Sequence, residues 1–569
     1  METYATNIKF SVTKITILVS ILYLMLFASY VMAAQINPID EDPLGTANSI
    51  DYPALPEWWG AEGSGLLGLI KSDTKEKRNR SIIKLIKDKE FDQADKYIAS
   101  SLEKTPDDSQ LYNFKALLNV LRGDKDAAEQ SYKQAIKLDP NNQLAYFGLA
   151  KLAIESEKLN IAKNYADNIL NVNDKVASGY LLLSEIVNRQ GDKQEAEQVL
   201  LTGYKKVQGS FNEEMRMINA LINYYVDQKQ IGKILSLSQE FVSRYPDNKD
   251  ALSILAVAQV NNKQKFEAEQ TLHKIIQQDK SDVQHRMLLV SVIYDEPARK
   301  QEILKLLDEA YEVSPSDIQP LIFKASYLIK LKQYQEALDI ANRIDQLSPG
   351  STVGKQLAGK IYIEEKNFEK AFEAFQQAYQ KKPDNKVLLV MADILTEQGK
   401  QNEATDLLEH ELKGGGNKIT INFKLATIYE QQKDYQRAEK YYKAMLAEQP
   451  DNPLALNNLA WLYLQQNNPE AIKLSEQAYN NAPNSAAAAD TYGYILIKQG
   501  EVEKGLGVLE KVVKAVPENR EVLIHLAEGY SLQGNKSKAI SILEPLVQEN
   551  QSFSEKENAK QLLMKLKAE

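Results

Sequence analysis

Proline falls on a ruler in this chain. Pro106, Pro140, Pro246, Pro315, Pro349, Pro383, Pro450, Pro483 and Pro517 are separated by 34, 106, 69, 34, 34, 67, 33 and 34 residues. All gaps are near multiples of thirty-four except the longer one before Pro246. Alanine keeps the same period about twelve residues earlier, at Ala94, Ala128, Ala162, Ala196, Ala268, Ala337, Ala371, Ala404, Ala438, Ala471 and Ala539. Small residues recur about twelve positions before that, at Ala116, Ala150, Ser184, Ala256, Ala325, Gly359, Ala392, Ala426, Ala460, Gly493 and Ala527. A fixed period of this length means a chain of short repeated units rather than one compact core.

The spacing has a physical reading. Small residues let two antiparallel helices come close where their surfaces cross. Between the two small positions lie turn signals such as Arg122-Gly123-Asp124, Gln190-Gly191-Asp192, Gln398-Gly399-Lys400, Gln499-Gly500-Glu501 and Gln533-Gly534-Asn535. Glycine ends the first helix of each pair and proline opens the connection after the second. Around each alanine the apolar residues recur at helical spacing, as in Ala371, Phe372, Phe375, Ala378 and Tyr379. Each unit is therefore expected to be a helical hairpin that buries its apolar face against its neighbours, so the fold class is all-α and the architecture a solenoid. Eighteen prolines and 25 glycines in 569 residues are few enough breakers for that.

The pattern resembles the tetratricopeptide repeat, with a small eighth residue, a frequent aromatic at the eleventh, alanine at the twentieth and proline at the thirty-second. Tyr362, Tyr429, Tyr463 and Tyr530 match the aromatic and account for part of the 29 tyrosines. The resemblance covers about fourteen hairpins over residues 73–551 and implies a right-handed superhelical solenoid. It implies little about function, because such arrays bind many unrelated partners. Departures from the pattern fall near residues 206–240, where Ile234 replaces the alanine, at Ile303, and at Gly414-Gly415-Gly416. Kinks in the superhelix are expected there.

The ends read differently. Residues 15–34, ITILVSILYLMLFASYVMAA, carry no charge, and Lys9 and Lys14 precede them. Small side chains close the run, so residues 1–33 read as a signal peptide cut before Ala34 or as an uncleaved signal anchor. Both place the rest outside the cytoplasm, in the periplasm or on the periplasmic side of the membrane. Membrane contact is then expected only through an uncleaved anchor. Residues 34–72 form an acidic linker interrupted by Pro38, Pro43, Pro53 and Pro56. Within it Trp58 and Trp59 are either a lid on the first helices or a docking motif for a partner. Gly63, Gly65 and Gly68 spell a dinucleotide-binding string, but no strand precedes it, and it is dismissed. Residues 552–569 are expected to form a capping helix.

Charge and chemistry exclude more than they assign. Lys and Arg total 69 against 78 Asp and Glu, a net charge of −9, which argues against nucleic acid as partner. Cysteine is absent, so disulfides, thiolate sites and a lipid-bearing cysteine are excluded. His273, His285, His410 and His525 are scattered over different repeats and read as surface or groove histidines rather than metal ligands. Tandem acids such as Glu213-Glu214 and Glu364-Glu365 read as solvated helix faces. No catalytic, cofactor-binding or metal-binding residue is assigned, no cofactor is expected, and the chain reads as a non-enzyme.

The carboxyl-terminal repeats carry the most specific signal. Asn457 and Asp490 are 33 residues apart, as are Trp461 and Tyr494. In each helix the polar residue and the ring are four apart and share a face. In tetratricopeptide arrays these positions line the concave groove, so each helix is expected to offer an exposed ring beside a polar group. Such pairs suit a peptide backbone or a sugar, although both rings also suit inter-repeat packing. The run Asp490-Thr491-Tyr492-Gly493-Tyr494, with Gln499-Gly500 and His525-Leu526-Ala527, resembles exported bacterial tetratricopeptide proteins of PEP-CTERM/exosortase and exopolysaccharide systems. The expectation is a non-catalytic envelope scaffold binding protein or glycan-machinery partners along its groove, in polysaccharide or surface-protein export or assembly. The alternative is a membrane-anchored adaptor or chaperone of envelope proteins with no polysaccharide role. The residues expected to touch the partner are Asn457, Trp461, Asp490, Tyr494, Trp58 and Trp59.

Overall fold

A computed structural model describes residues 73–414, 418–548, 553 and 555–568. Among them are twenty-nine α-helices, from α1 (Asp73–Lys87) to α29 (Lys556–Ala568), one 3-10 turn at Pro297–Arg299, and no strand. The first twenty-eight helices pair in order into fourteen hairpins, and α29 follows the last. The chain divides into two units at Lys280 and Ser281. The first unit holds α1 to α12 (Lys265–Gln278) and the second α13 (Val283–Ile293) to α29. Trp58, Trp59 and the segment 1–72 lie outside the described residues, as do Gly415 and Gly416.

The hairpin of α17 (Val353–Glu364) and α18 (Phe368–Lys381) shows why the sequence folds this way. Lys366 turns the chain at φ 60°. Its N–H donates to the Ile363 carbonyl at 2.9 Å, and the Asn367 N–H reaches back to Tyr362 at 2.8 Å. This is the paired hydrogen bonding that closes a helix through one left-handed residue. The Asn367 side chain then accepts the Lys370 N–H at 3.2 Å and starts the next helix. Gly359 and Ala371 sit at the crossing, where a Cβ on Gly359 would stand 2.6 Å from the Phe375 ring.

The left-handed residue recurs. Gly123, Gly191, Gly399, Gly500 and Gly534 hold it, and so do Lys89, Glu157, Lys229, Lys263, Lys332, Lys366, Lys433 and Asn467. Every hairpin thus turns through it except the one closed by Pro297–Arg299. The alanines of both periodic series are without exception fully buried. A larger side chain at those points would hold the helices apart. Ile234 and Ile303, which replace alanine, are buried too.

The long gap before Pro246 is an added helical turn. Helix α9 (Phe211–Asp227) has 17 residues, where α7 (Ala177–Arg189) and α11 (Lys249–Asn261) have 13. At its start Glu214 is fully buried, which corrects the reading of Glu213-Glu214 as a solvated face. One carboxylate oxygen of Glu214 accepts the Gly209 N–H at 2.8 Å and the Tyr245 hydroxyl at 2.7 Å. The other takes the Arg244 guanidinium at 2.7 Å. Glu213 accepts the Ala177 N–H at 2.6 Å. Both acids anchor α9 against its neighbours, whereas Glu364 and Glu365 are exposed as expected.

The tyrosines of the repeat earn their hydroxyls. Tyr429, Tyr463 and Tyr530 pack with buried rings and donate to Glu409, Glu439 and Glu510 at 2.9, 2.8 and 2.6 Å. Each acceptor lies on the second helix of the preceding hairpin, so the bond joins repeat to repeat. Phenylalanine would fill the same volume but lose this repeat-to-repeat bond.

Candidate partner-binding site

Three first helices of the second unit carry the residues singled out in the sequence: α23 (Pro453–Gln465), α25 (Ala486–Lys498) and α27 (Arg520–Leu532). Asn452, Ser485 and Asn519 cap them through their side-chain oxygens, which fixes each start at the same point of the repeat. Helix α26 (Val502–Ala515) crosses α25 at a glycine pair. A Cβ on Gly505 would stand 2.5 Å from the Gly493 carbonyl oxygen, so glycine is what permits this approach.

The structure brings Trp461, Asp490 and Tyr494 together and adds His525, which the sequence reading had set aside. Trp461 stacks on Tyr494 with centroids 5.8 Å apart and planes at 28°. Tyr494 lies on the His525 imidazole at 3.8 Å and 17°. Trp461 is also 5.9 Å from His525 at 39°, so the three rings, one from each repeat, form a compact cluster. Tyr494 is 9% exposed and His525 6%, while Trp461 is half-buried. The expectation of two exposed rings is therefore corrected: Tyr494 fills the space between repeats, and Trp461 alone keeps an accessible face. His525 and His285 are buried, against the surface reading of the histidines, whereas His410 is exposed.

Electrostatics explain why a histidine is tolerated inside. His525 Nδ1 lies 3.0 Å from both carboxylate oxygens of Asp490. Burial opposes the charged imidazole, but Asp490, with Glu521 and Glu528, outweighs it and lifts the His525 pKa above its ordinary value. The Tyr494 hydroxyl donates to Glu528 at 3.0 Å, and Lys498 pairs with the same carboxylate at 2.8 Å. Burial and that carboxylate push the Tyr494 hydroxyl pKa far up, so the ring stays neutral. Asn457 is buried, and its side-chain carbonyl has no hydrogen-bond partner among the described residues.

Beside Trp461 opens a cavity of about 120 Å³ lined by Trp461, Ala487, Asp490, Thr491, Asn519 and Glu521, among others. Burial, with repulsion from Asp490 and Glu555 set against the pull of His525, raises the Glu521 carboxyl pKa. Glu521 and His525 were legible only by adding one repeat length to Ala487 and to Asp490. That step lands on Glu521 and on the residue beside His525.

Residues 109–142, 362–410 and 429–471 match family models of the tetratricopeptide repeat, so repeats of this family occur in both units. Tetratricopeptide repeat protein 21B of Xenopus laevis is 22% identical over 420 residues, which are 68% of this chain and 31% of that protein. TPR repeat-containing protein PA4667 of Pseudomonas aeruginosa is 25% identical over 203 residues, 34% of either chain. Cellulose synthase operon protein C of Pseudomonas fluorescens is 20% identical over 440 residues, covering 74% of this chain and 32% of that one. The chain spans about a third of the length of each.

Proposed function

We propose that this tetratricopeptide repeat protein is a non-catalytic scaffold of the bacterial cell envelope that holds a protein partner on its last three hairpins. The partner would belong to the machinery that exports or assembles an extracellular polysaccharide. The observation that carries the reading is the site itself. A cluster of rings from three successive repeats places a half-buried indole beside a cavity, and repeat arrays bind through surfaces that span neighbouring repeats. An aromatic anchor beside hydrogen-bonding groups is the usual centre of a protein interface. The polysaccharide assignment is supported by the likeness to cellulose synthase operon protein C and by the resemblance of the residue 490–527 block to exported repeat proteins of such systems. The envelope placement is supported by the uncharged run at residues 15–34.

The test is a chromosomal deletion complemented by the intact chain or by Trp461→Ala, with fractionation of the cells and measurement of secreted polysaccharide. The reading expects the protein in the envelope fraction, loss of polysaccharide on deletion, and rescue by the intact chain only. Unchanged polysaccharide with misassembled envelope proteins would support the adaptor or chaperone role instead.

A further inference from the structure

We infer that the cavity beside Trp461 and Glu521 receives the cationic end of a lysine or arginine side chain presented by the partner polypeptide. The inference rests on the scaffold reading and adds the chemistry of what is held.

Around the ring cluster, Asp490 is matched by His525 and Glu528 by Lys498. Glu521 has no cation at contact distance and feels only His525, whose charge Asp490 already takes up. It is half-buried, it lines the cavity, and among the described residues its carboxylate has no hydrogen bond or ion pair. Its place in the first turn of α27 suits a carboxylate, since the helix dipole favours one there, but that does not supply the missing counter-charge.

A second observation is independent of the acids. The second unit repeatedly sets cations of its own against its tyrosine rings. Lys330 stands 4.5 Å from the Tyr294 centroid, Arg437 4.3 Å from Tyr429, Lys498 5.0 Å from Tyr494 and Lys538 4.6 Å from Tyr530. Trp461, whose indole attracts cations more strongly than any phenol, has no lysine or arginine over it among the described residues. The half-buried indole, packed by Tyr494 and His525 but by no lysine or arginine, lines the same cavity as Glu521.

The donor and acceptor inventory narrows the ligand further. The charged groups of the cavity are carboxylates, which only accept. The Asn519 side-chain oxygen is already occupied, accepting the N–H groups of Glu521 and Val522 at 3.1 and 3.2 Å. An ammonium or guanidinium offers donors only, carries the needed charge, and has an aliphatic stem that suits the Ala487 wall. A neutral sugar satisfies none of the charge.

The test is calorimetric titration of the full chain at low salt with the peptide Ac-(Gly-Lys)4-NH2, with its Nε-acetylated form, and with a glucosamine tetramer. The expected result is binding of the amine peptide at least about tenfold tighter than the acetylated one, weakened about tenfold by Glu521→Gln and a few-fold by Trp461→Phe. Glu503→Gln, an exposed change on α26 that removes the same charge, should leave Kd within about twofold. Circular dichroism melts of the variants confirm that each is folded. Equal weakening by Glu503→Gln and Glu521→Gln overturns the inference as general attraction to an acidic protein. So does equal binding of the acetylated peptide, or Glu521-dependent binding of the glucosamine tetramer alone. These failures leave the polysaccharide phenotype untouched, so they are separable from failure of the scaffold reading.

Discussion

Gly505→Ala sets two known effects against each other at one position. In an exposed helix interior the change gains about 1 kcal/mol, because alanine restricts the unfolded chain and suits the helix. At Gly505 the new Cβ would stand 2.5 Å from the Gly493 carbonyl oxygen and 2.6 Å from Ile497 Cγ1, where ordinary contact begins at 3.4 Å. The first of these is backbone and cannot rotate away. Helices α25 and α26 must therefore part by roughly 0.9 Å, and overpacking of this kind costs about 1–3 kcal/mol. The net expectation is a loss of about 0–2 kcal/mol, confined to this hairpin and its neighbours because repeats couple mainly to adjacent ones. Gly507→Ala is the internal control. It lies on the same helix, exposed, with nothing within 4 Å of the added Cβ, and should gain about 0.5–1 kcal/mol. Hydrogen exchange read by mass spectrometry on peptides covering residues 486–515 measures the local opening free energy directly. Increased protection in both variants would refute the close-approach argument.

Three further outcomes follow from the structure. Lys366→Gly and Lys433→Gly, at φ 60° and 61°, should each raise local stability by about 0.5–1 kcal/mol in the same exchange assay, and a loss at both sites would contradict the turn assignment. Glu214→Gln removes the buried carboxylate shared by Arg244 and Tyr245 while Arg244 keeps its exposed pair with Glu240, and should cost about 1–3 kcal/mol across residues 204–245, read as lost exchange protection; a neutral result would mean that Glu240 alone satisfies Arg244. Because Asp490, Glu521 and Glu528 raise the folded pKa of His525, its contribution to stability is fully present below about pH 6.5 and is lost as pH rises through the folded value. The stability difference between the natural chain and His525→Gln should therefore shrink from pH 6 to pH 9, and a difference that grows with pH would reverse the assignment of the Asp490–His525 pair.

The repeat was legible because its signals are local. A buried alanine at a helix crossing has few substitutes, so the two alanine series mark the crossings with little ambiguity. The turns were only partly legible. Five carry the expected glycine, but seven of the rest use lysine or glutamate and one asparagine, since an open turn tolerates a side chain at φ near 60° for about 1 kcal/mol. Misreadings came where a partner is distant in sequence. Glu214 looked solvated because Arg244 lies 30 residues away, and His525 looked peripheral because Asp490 lies 35 residues away. Both distances are close to one repeat, so the same ruler that gives the fold also points to side-chain partners. Tyr494 shows the limit of that approach: its position on the helix face was readable, but its burial between Trp461 and His525 depends on which rings the neighbouring repeats supply.

The central claim is that the partner sits over Trp461 and the cavity beside it. A photo-crosslinking residue at Leu454 tests it most directly. Leu454 is 48% exposed and lies seven residues before Trp461, two turns along the same face of α23. The same label at the exposed Glu503 on α26 serves as the comparison. The account predicts a covalent adduct with an envelope protein from Leu454 in living cells, sharply reduced when Glu521→Gln is present and absent from Glu503. An adduct from Glu503 with none from Leu454, or a Leu454 adduct indifferent to Glu521→Gln, would contradict it.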